Sequence, residues 1–339
     1  MTEVAAPSPP VARARRAHPV ARFLLVRLLA ALATLFVVSV LVFVGTEVLP
    51  GDAASAVLGR TATPEALAEL RDLMGLDRPW YERYFDWLGG VVTGDLGNSA
   101  AGYAAGGESP IWEAIKGKIG NSLTLAGITA ALMIPLALVL GVVAALRAGR
   151  PVDHAISLTS LAVISLPEFI IGSLLILALF SWLDVLPPVS LVPPGESPLA
   201  DPRVLVLPVL TLLGASLAAS IRMVRAGMVE VLRSDYVEMA RLNGLPESTV
   251  IRRYALRNAL GPSVQVFAQN IQYLVGGIVV TEYLFSYPGL GKELVDSVAI
   301  RDVRAVQSVA LLVAAVYVAL NILADLLVLL LVPKLRTRR

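Results

Sequence analysis

Six long apolar runs constrain this chain more than any other feature of its sequence. They lie at about 28–46, 121–146, 155–183, 204–221, 260–281 and 305–331. Each is near the roughly 20 residues that a helix needs to cross the hydrocarbon core of a bilayer. Because lipid cannot satisfy backbone polar groups, runs of this length cross as helices. The sequence therefore predicts an all-α integral membrane protein with six spans.

The composition agrees with a membrane setting and excludes several other classes. Hydrophobic residues make up 56% of the chain and charged residues only 16%, whereas a soluble domain carries roughly 25% charged residues. There are no cysteines and only two histidines, His18 and His154, which lie far apart in the sequence. We therefore predict no disulfide and no metal site. A formal net charge of +2 is too small to indicate a nucleic-acid partner, so the arginines are expected to set orientation beside membrane lipid.

The charges of the connectors predict which side each faces. One set of connectors is acidic, and the other is rich in arginine and includes 13–27, 147–150, 222–257 and 334–339. Since basic connectors stay inside, both termini are predicted to be cytoplasmic in a bacterial plasma membrane. The first apolar run is longer than the 7–15 residues of a signal peptide, which favours an uncleaved span.

These assignments divide the chain into consecutive segments. The predicted order is a disordered cytoplasmic tail (1–20), the first span (21–48), an extracytoplasmic segment (49–118), five further spans (119–332) with a cytoplasmic loop at 233–258, and a cytoplasmic C-terminal tail (333–339).

The long external segment contains two helix signals. Thr63-Pro64-Glu65 has a capping hydroxyl, a proline at the first helical position and an early acid, and Gly75 is suited to end that helix. Farther on, Trp80, Tyr84 and Trp87 follow helical spacing. Two alternatives remain for these aromatic residues: an interfacial helix at headgroup level, or a surface that binds a delivery protein.

The cytoplasmic loop is more ordered than an idle connector needs to be. Asp235 is suited to cap a helix, with Glu238 three residues later, and Gly244 is suited to end it. Pro246 then suits the first position of a second helix. We expect Val237, Ala240 and Leu242 to form a small apolar face for a docking partner; the alternative is an amphipathic interfacial helix without one.

Polar residues inside the apolar runs are candidates for a solute pathway. Glu168 follows Pro167 in the third run, where a charge costs about 2.5–3.5 kcal/mol. It is expected either to line a pathway or to be buried between helices near Ser165. In the fifth run Gln265, Gln269 and Gln272 form one polar stripe, for which pathway lining and interhelical hydrogen bonding are both open.

Two further polar residues share a face of the last run. Asn321 and Asp325 are four residues apart, and we expect this face to pack against a partner subunit.

The chain lacks the sequence signature of a nucleotide-hydrolysing enzyme. Gly289-Leu290-Gly291-Lys292 has a lysine, but Ser286 stands where a P-loop needs its first glycine and Glu293 where it needs Ser or Thr. No set of nucleophile, base and orienting group appears. The chain is therefore predicted not to be an enzyme, and any ATP and Mg would be bound by other subunits.

Several motifs together carry a family resemblance. In chain order they are Leu49-Pro50-Gly51-Asp52, Gly75-Leu76-Asp77-Arg78-Pro79, Gly94-Asp95-Leu96-Gly97, Glu238-x-Ala240-x-x-x-Gly244 and the run from Thr281 to Gly291. The chain resembles a transmembrane subunit of an ATP-binding-cassette importer of the dipeptide/oligopeptide permease family, in its B-type form. It departs from the family at Met239, where alanine is usual, and at Val332-Pro333-Lys334.

The resemblance implies a type I importer permease fold and a mechanism of alternating access. It implies three kinds of partner: a second permease of C-type, two cytoplasmic ATPase domains and an extracytoplasmic solute-binding protein. It also implies that the cytoplasmic loop carries a helix that couples the permease to the ATPase, formed by Asp235, Tyr236, Val237, Glu238, Met239, Ala240, Arg241, Leu242, Asn243, Gly244 and Leu245.

Peptides are the expected solute, with nickel, glutathione and oligosaccharides as alternatives within the family. A stand-alone secondary transporter or channel is the alternative class.

Overall fold

The computed structural model describes residues 19–47, 53–58, 63–104 and 107–331. Its helices are α1 (Pro19–Glu47), α2 (Ala53–Leu58), α3 (Pro64–Met74), α4 (Trp80–Thr93), α5 (Ala100–Ala104), α6 (Ile111–Leu146), α7 (Pro151–Ile164), α8 (Glu168–Ile176, extended by a π-helix at Leu177–Trp182), α9 (Arg203–Leu232), α10 (Asp235–Leu242), α11 (Glu247–Thr249, followed by a π-helix at Val250–Leu256), α12 (Arg257–Leu284), α13 (Leu290–Ala299) and α14 (Val303–Leu331). The predicted N-terminal tail at 1–20 is wrong for its last two residues, since α1 begins at Pro19. Residues 1–18, the predicted C-terminal tail at 333–339 and the motif at 49–52 lie outside the described residues.

The described residues confirm an all-α membrane architecture. Five helices are long and apolar enough to cross a bilayer, namely α1, α6, α9, α12 and α14. The bent pair of α7 and α8, whose axes meet at 106°, is apolar enough to form a sixth candidate crossing. The third apolar run is therefore not the continuous span that its hydropathy predicts.

A proline explains the break in the third span. Pro167 has no N–H to donate, and its ring disfavours helical backbone at Leu166. Helix α7 ends with Ser165 as its C-cap, and Pro167 becomes the N-cap of α8. Glu168 is thus the first residue of a new helix and not the middle of an old one.

The core of the bundle is built around α9. In the most apolar 18-residue stretch of this helix, 67% of the residues are buried. Helices α6 and α12 lie directly against it at two glycines. A Cβ atom on Gly141 would lie 2.7 Å from the Val224 side chain, and one on Gly227 would lie 2.8 Å from the Ala259 carbonyl oxygen. Small residues at these points let the helices approach closely, as is usual in membrane bundles.

The segment between α1 and α6 folds as the local signals predict. Thr63 caps α3 by accepting a hydrogen bond from the Ala66 amide at 3.2 Å. Gly75 ends α3 in the left-handed conformation at φ 62°. The segment is fixed to the bundle by Asp302, whose buried carboxylate accepts hydrogen bonds from Ser99 and from the amides of Ala100 and Ala305.

The junction between α12 and α13 is organised by one buried carboxylate. Glu282 accepts hydrogen bonds from the amides of Gly291 at 2.7 Å and Lys292 at 3.3 Å, at the start of α13. An anion is favoured there, because the N-terminal amides of a helix are unpaired. A Cβ atom on Gly289 would lie 2.0 Å from this carboxylate. The motif from Thr281 to Gly291 therefore serves to seat α13 on α12.

Candidate functional site

The loop at 233–258 contains the short helix that the sequence predicts, but its cap lies one residue earlier. Ser234 is the N-cap of α10, and Asp235 is the first helical residue. The Ser234 hydroxyl donates to the Val231 carbonyl at 2.5 Å, and no side chain caps the helix. The predicted capping pair of Asp235 and Glu238 is therefore wrong. Both acids still stabilise the helix, because they lie in its first turn, where the helix dipole favours negative charge.

The end of α10 is as predicted. Gly244 has a φ of 73°, the left-handed conformation that glycine adopts without steric cost. Its amide donates to the Arg241 carbonyl at 2.9 Å, and the Leu245 amide donates to the Ala240 carbonyl at 3.3 Å. These two bonds form the Schellman motif that commonly ends a helix. Pro246 is the N-cap of α11 and not its first residue, which corrects that assignment by one position.

Helix α10 lies on a small apolar base. Val237 is fully buried and Ala240 is 4% exposed, and both pack against Val250. The expected apolar face of Val237, Ala240 and Leu242 is therefore wrong for two of its three members. These two residues hold the helix against the protein and cannot contact a partner.

A different face of α10 points away from the protein. Tyr236 is 43% exposed, Met239 is 57% exposed and Leu242 is 75% exposed. The three residues are spaced by three along the helix and so form one ridge on its outer surface. Met239, the position at which the chain departs from the family motif, is at the centre of this ridge. Aromatic residues and methionine are enriched at protein interfaces, so this ridge is a candidate docking surface.

An ion pair closes the turn beside the ridge. Arg241 contacts Glu247 through two hydrogen bonds, at 2.7 and 3.2 Å. The guanidinium lowers the pKa of the Glu247 carboxyl, chiefly by hydrogen bonding. Because both side chains are exposed, the pair contributes at most about 1 kcal/mol to stability.

A second ion pair fixes the helix that leads into the loop. Asp153, at the start of α7, is 2% exposed and accepts two hydrogen bonds from Arg225 of α9 at 2.5 and 2.7 Å. It also accepts one from the Gly149 amide at 2.9 Å. The start of α7 and the C-terminal half of α9 are thereby held together, and α9 continues through a short turn into α10. The two partners are 72 residues apart, and no sequence pattern predicts the pairing.

The glutamine stripe of α12 lines a cavity of about 590 Å³ between α1, α12 and α14. The polar residues on its wall are Arg27, Thr34, Gln265, Gln269, Gln272, Tyr317, Asn321 and Asp325. Among the described residues, the three glutamine side chains make no hydrogen bond to protein, so their amides are available to water or solute. Asn270, which lies off the stripe, instead bonds to Ser220 of α9 at 2.6 Å.

Arg27 and Asp325 form a salt bridge of 3.0 Å across one side of this cavity. The expectation that the Asp325 face packs against a partner subunit stays a prediction. The carboxylate already has a cation within its own chain, and Asn321 faces the cavity.

The structure places Glu168 away from the glutamine cavity. Its carboxylate accepts a hydrogen bond from Thr281 of α12 and lies 2.4 Å from where a Cβ atom of Gly277 would be. Close approach of α8 to α12 is thus possible because Gly277 has no side chain. These contacts join two helices, but Glu168 is half-buried and its partner is Thr281, not the expected Ser165. They do not bring Glu168 together with Gln265, Gln269 or Gln272.

Comparison with known proteins identifies the family. Residues 137–337 match the family "Binding-protein-dependent transport system inner membrane component", and residues 20–126 match the N-terminal region of such membrane components. The chain belongs to this family. It is accordingly a multi-pass permease subunit of a transport system in the inner membrane.

Relatives of this permease match along nearly their whole length. A di/tripeptide transport system permease protein of Pseudomonas aeruginosa (strain UCBPP-PA14) is 35% identical over 328 residues, which cover 90% of this chain and 96% of the relative. A glutathione transport system permease protein of Escherichia coli (strain K12) is 33% identical over 315 residues, which cover 93% and 98%. A solved amino acid ABC transporter shares 16% identity with a TM-score of 0.47, covering 66% of this chain and 94% of that one.

Proposed function

We propose that this permease imports short peptides, acting with a second permease of C-type, two cytoplasmic ATPase domains and an extracytoplasmic solute-binding protein. ATP and Mg bind to the ATPase subunits, and this chain supplies no catalytic group. Both termini lie in the cytoplasm, as the connector charges indicate. The observation that carries the proposal is the outward ridge of Tyr236, Met239 and Leu242 on a rigidly seated α10.

The construction of α10 supports a role in transmitting force. A helix that moves with a partner needs an exposed surface to contact it and a buried surface to pass the motion on. Helix α10 has both, because its ridge is exposed while Val237 and Ala240 are packed onto α9 and the α11–α12 connection. The Asp153–Arg225 pair extends this connection to α7, the cytoplasmic half of the bent third span. Binding of nucleotide to the ATPase would then bias two packings of the spans.

The choice of peptide rests on the relatives and on the cavity. One relative is named for di- and tripeptides and the other for glutathione, itself a tripeptide. The cavity of about 590 Å³ is within the usual 300–1,000 Å³ range of ligand sites. Its uncharged amides suit a peptide backbone, which presents both donors and acceptors whatever its side chains. We propose that Gln265, Gln269 and Gln272 line the solute pathway.

Uptake measured in a strain that lacks the gene tests the proposal directly. We expect the gene to restore uptake of labelled dipeptides and tripeptides, and a tagged chain to purify together with an ATPase. Competition by excess peptide, glutathione, nickel or oligosaccharide then identifies the solute. Flux by the lone chain in liposomes, without ATP, would overturn the importer proposal in favour of a stand-alone transporter or channel.

Replacing Glu168 with Gln separates its two proposed roles. If the carboxylate meets the amino terminus of the solute, Glu168→Gln should reduce uptake of cationic and free-amino peptides more than uptake of N-acetylated ones. If it only joins α8 to α12 through Thr281, uptake of all solutes should change alike. Thr281→Val serves as the matched control, because it removes the same hydrogen bond and leaves the carboxylate in place.

A further inference from the structure

Helix α4 of the external segment has one face that no other described part of the chain covers. Tyr81 is 49% exposed, Phe85 is 65% exposed and Val92 is 80% exposed. Their spacings of four and seven residues put the three side chains on a single stripe. Tyr84 and Trp87 of the same helix are instead buried, with exposures of 7% and 2%.

A second side of α4 is charged and suited to water. Arg78, just before the helix, forms salt bridges with Glu82 at 3.3 Å and Asp86 at 2.5 Å. All three side chains are about half exposed. The helix therefore separates an apolar stripe from a charged one, with a third side buried in the protein.

Contacts with α1 fix the depth of α4. The Tyr84 hydroxyl lies 2.9 Å from the Ser39 hydroxyl, and Arg83 pairs with Glu47. Ser39 and Glu47 are eight residues apart, or about 12 Å along a helix, and both lie within the candidate span Leu24–Glu47. Helix α4 thus contacts the side of α1 over the last two turns of that candidate span. It does not lie beyond the end of the span.

The buried aromatic residues continue this contact toward α14. The rings of Phe43 and Trp87 are stacked with centroids 6.2 Å apart. The Trp87 indole N–H donates to the Ser308 hydroxyl at 3.3 Å, and Leu311 packs against the same cluster. Helix α4 therefore packs against α1 and α14, the first and last candidate spans, and contacts their apolar residues.

We propose that α4 is immersed in the extracytoplasmic leaflet, with Tyr81, Phe85 and Val92 in contact with phospholipid. Helix α1, against which α4 packs, also exposes apolar side chains, with Leu41 65% exposed and Val44 47% exposed. Tyrosine and phenylalanine at the boundary of the hydrocarbon are favourable there, while the salt-bridged side remains in the headgroup water. The external segment is thereby anchored to the membrane at a fixed height, and a solute-binding protein has to dock elsewhere. This inference does not depend on which solute is carried.

Site-directed spin labelling tests the placement, and the chain suits the method because it contains no cysteine. The full-length chain, purified with its accompanying subunits and reconstituted in phosphatidylethanolamine–phosphatidylglycerol liposomes, carries one label at a time. Phe85→Cys is compared with its neighbour Asp86→Cys, and Val92→Cys with Thr93→Cys. Collisions of each label with oxygen, which concentrates in lipid, and with a water-soluble nickel chelate are measured, and the unsubstituted chain gives the background.

The labels at 85 and 92 should collide with oxygen and lose their collisions with the chelate, whereas those at 86 and 93 should collide with the chelate. Strong chelate collisions at 85 and 92 would overturn the proposal, because the stripe would then face water. Low collisions with both reagents would also overturn it, because a protein subunit would then cover the stripe. All four positions are exposed, so the substitutions leave the packed faces of α4 intact.

Discussion

Replacing Leu242 with Glu should abolish peptide uptake without unfolding the permease. Leu242 is 75% exposed, so the free chain loses little packing, but a docked ATPase would bury the new carboxylate without a partner. Removal of a central interface contact typically costs about 2 kcal/mol or more, which is about 30-fold in affinity. An unpaired buried charge adds to that loss. We expect the ATPase no longer to co-purify and the thermal unfolding midpoint of the permease to stay unchanged.

The control for this experiment keeps the volume of the side chain. Leu242→Met is close to isosteric and should retain both ATPase binding and uptake. A normal yield of ATPase with the Leu242→Glu permease would contradict the docking role of the ridge. Loss of binding together with a lowered unfolding midpoint would instead indicate that α10 had come away from its base of Val237, Ala240 and Val250.

Replacing Arg225 with Ala should strongly destabilise the permease. It leaves the Asp153 carboxylate, which is 2% exposed, without its cation, and the loss of one partner of a buried pair costs about 3–5 kcal/mol. Asp153→Ala should cost less, because the Arg225 side chain is 32% exposed and reaches water when left alone. The midpoint of thermal unfolding in detergent should therefore fall more for Arg225→Ala than for Asp153→Ala.

Arg222 provides a matched control on the same helix. It is exposed and lies one turn away from Arg225, so Arg222→Ala should change stability by no more than about 0.5 kcal/mol. Arg225→Lys keeps the charge but cannot form the bidentate hydrogen bonds of the guanidinium. We therefore expect a loss of stability between those of Arg222→Ala and Arg225→Ala. Equal effects of Arg225→Ala and Arg222→Ala would show that the pair does not hold α7 to α9.

The ends of two helices, α3 and α10, could be predicted from sequence because helix-ending interactions are local. Gly244 adopts the left-handed conformation that its position after α10 predicts, and Thr63 and Gly75 bound α3 in the same way. Each of these assignments depends on a few neighbouring residues. The predicted N-cap of α10 was wrong by one residue. Ser and Asp are both favourable N-cap residues, and only the backbone conformation shows that Ser234 occupies this position.

The face that α10 presents could not be predicted in the same way. Tyr236, Val237, Met239, Ala240 and Leu242 are all compatible with an apolar surface, and their spacing does not say which side the rest of the protein covers. Packing of α10 against Val250 decided this and left the ridge outside.

The sequence by itself determined the number and order of the apolar segments, their predicted orientation and the motifs that mark the family. These follow from hydropathy, charge and short-range patterns, each of which acts over a few turns of chain. Only the tertiary structure decided that Asp153 pairs with Arg225, that Glu168 meets Thr281 and that the three glutamines face one cavity. Such contacts join residues far apart in sequence, and they depend on how closely helices pack.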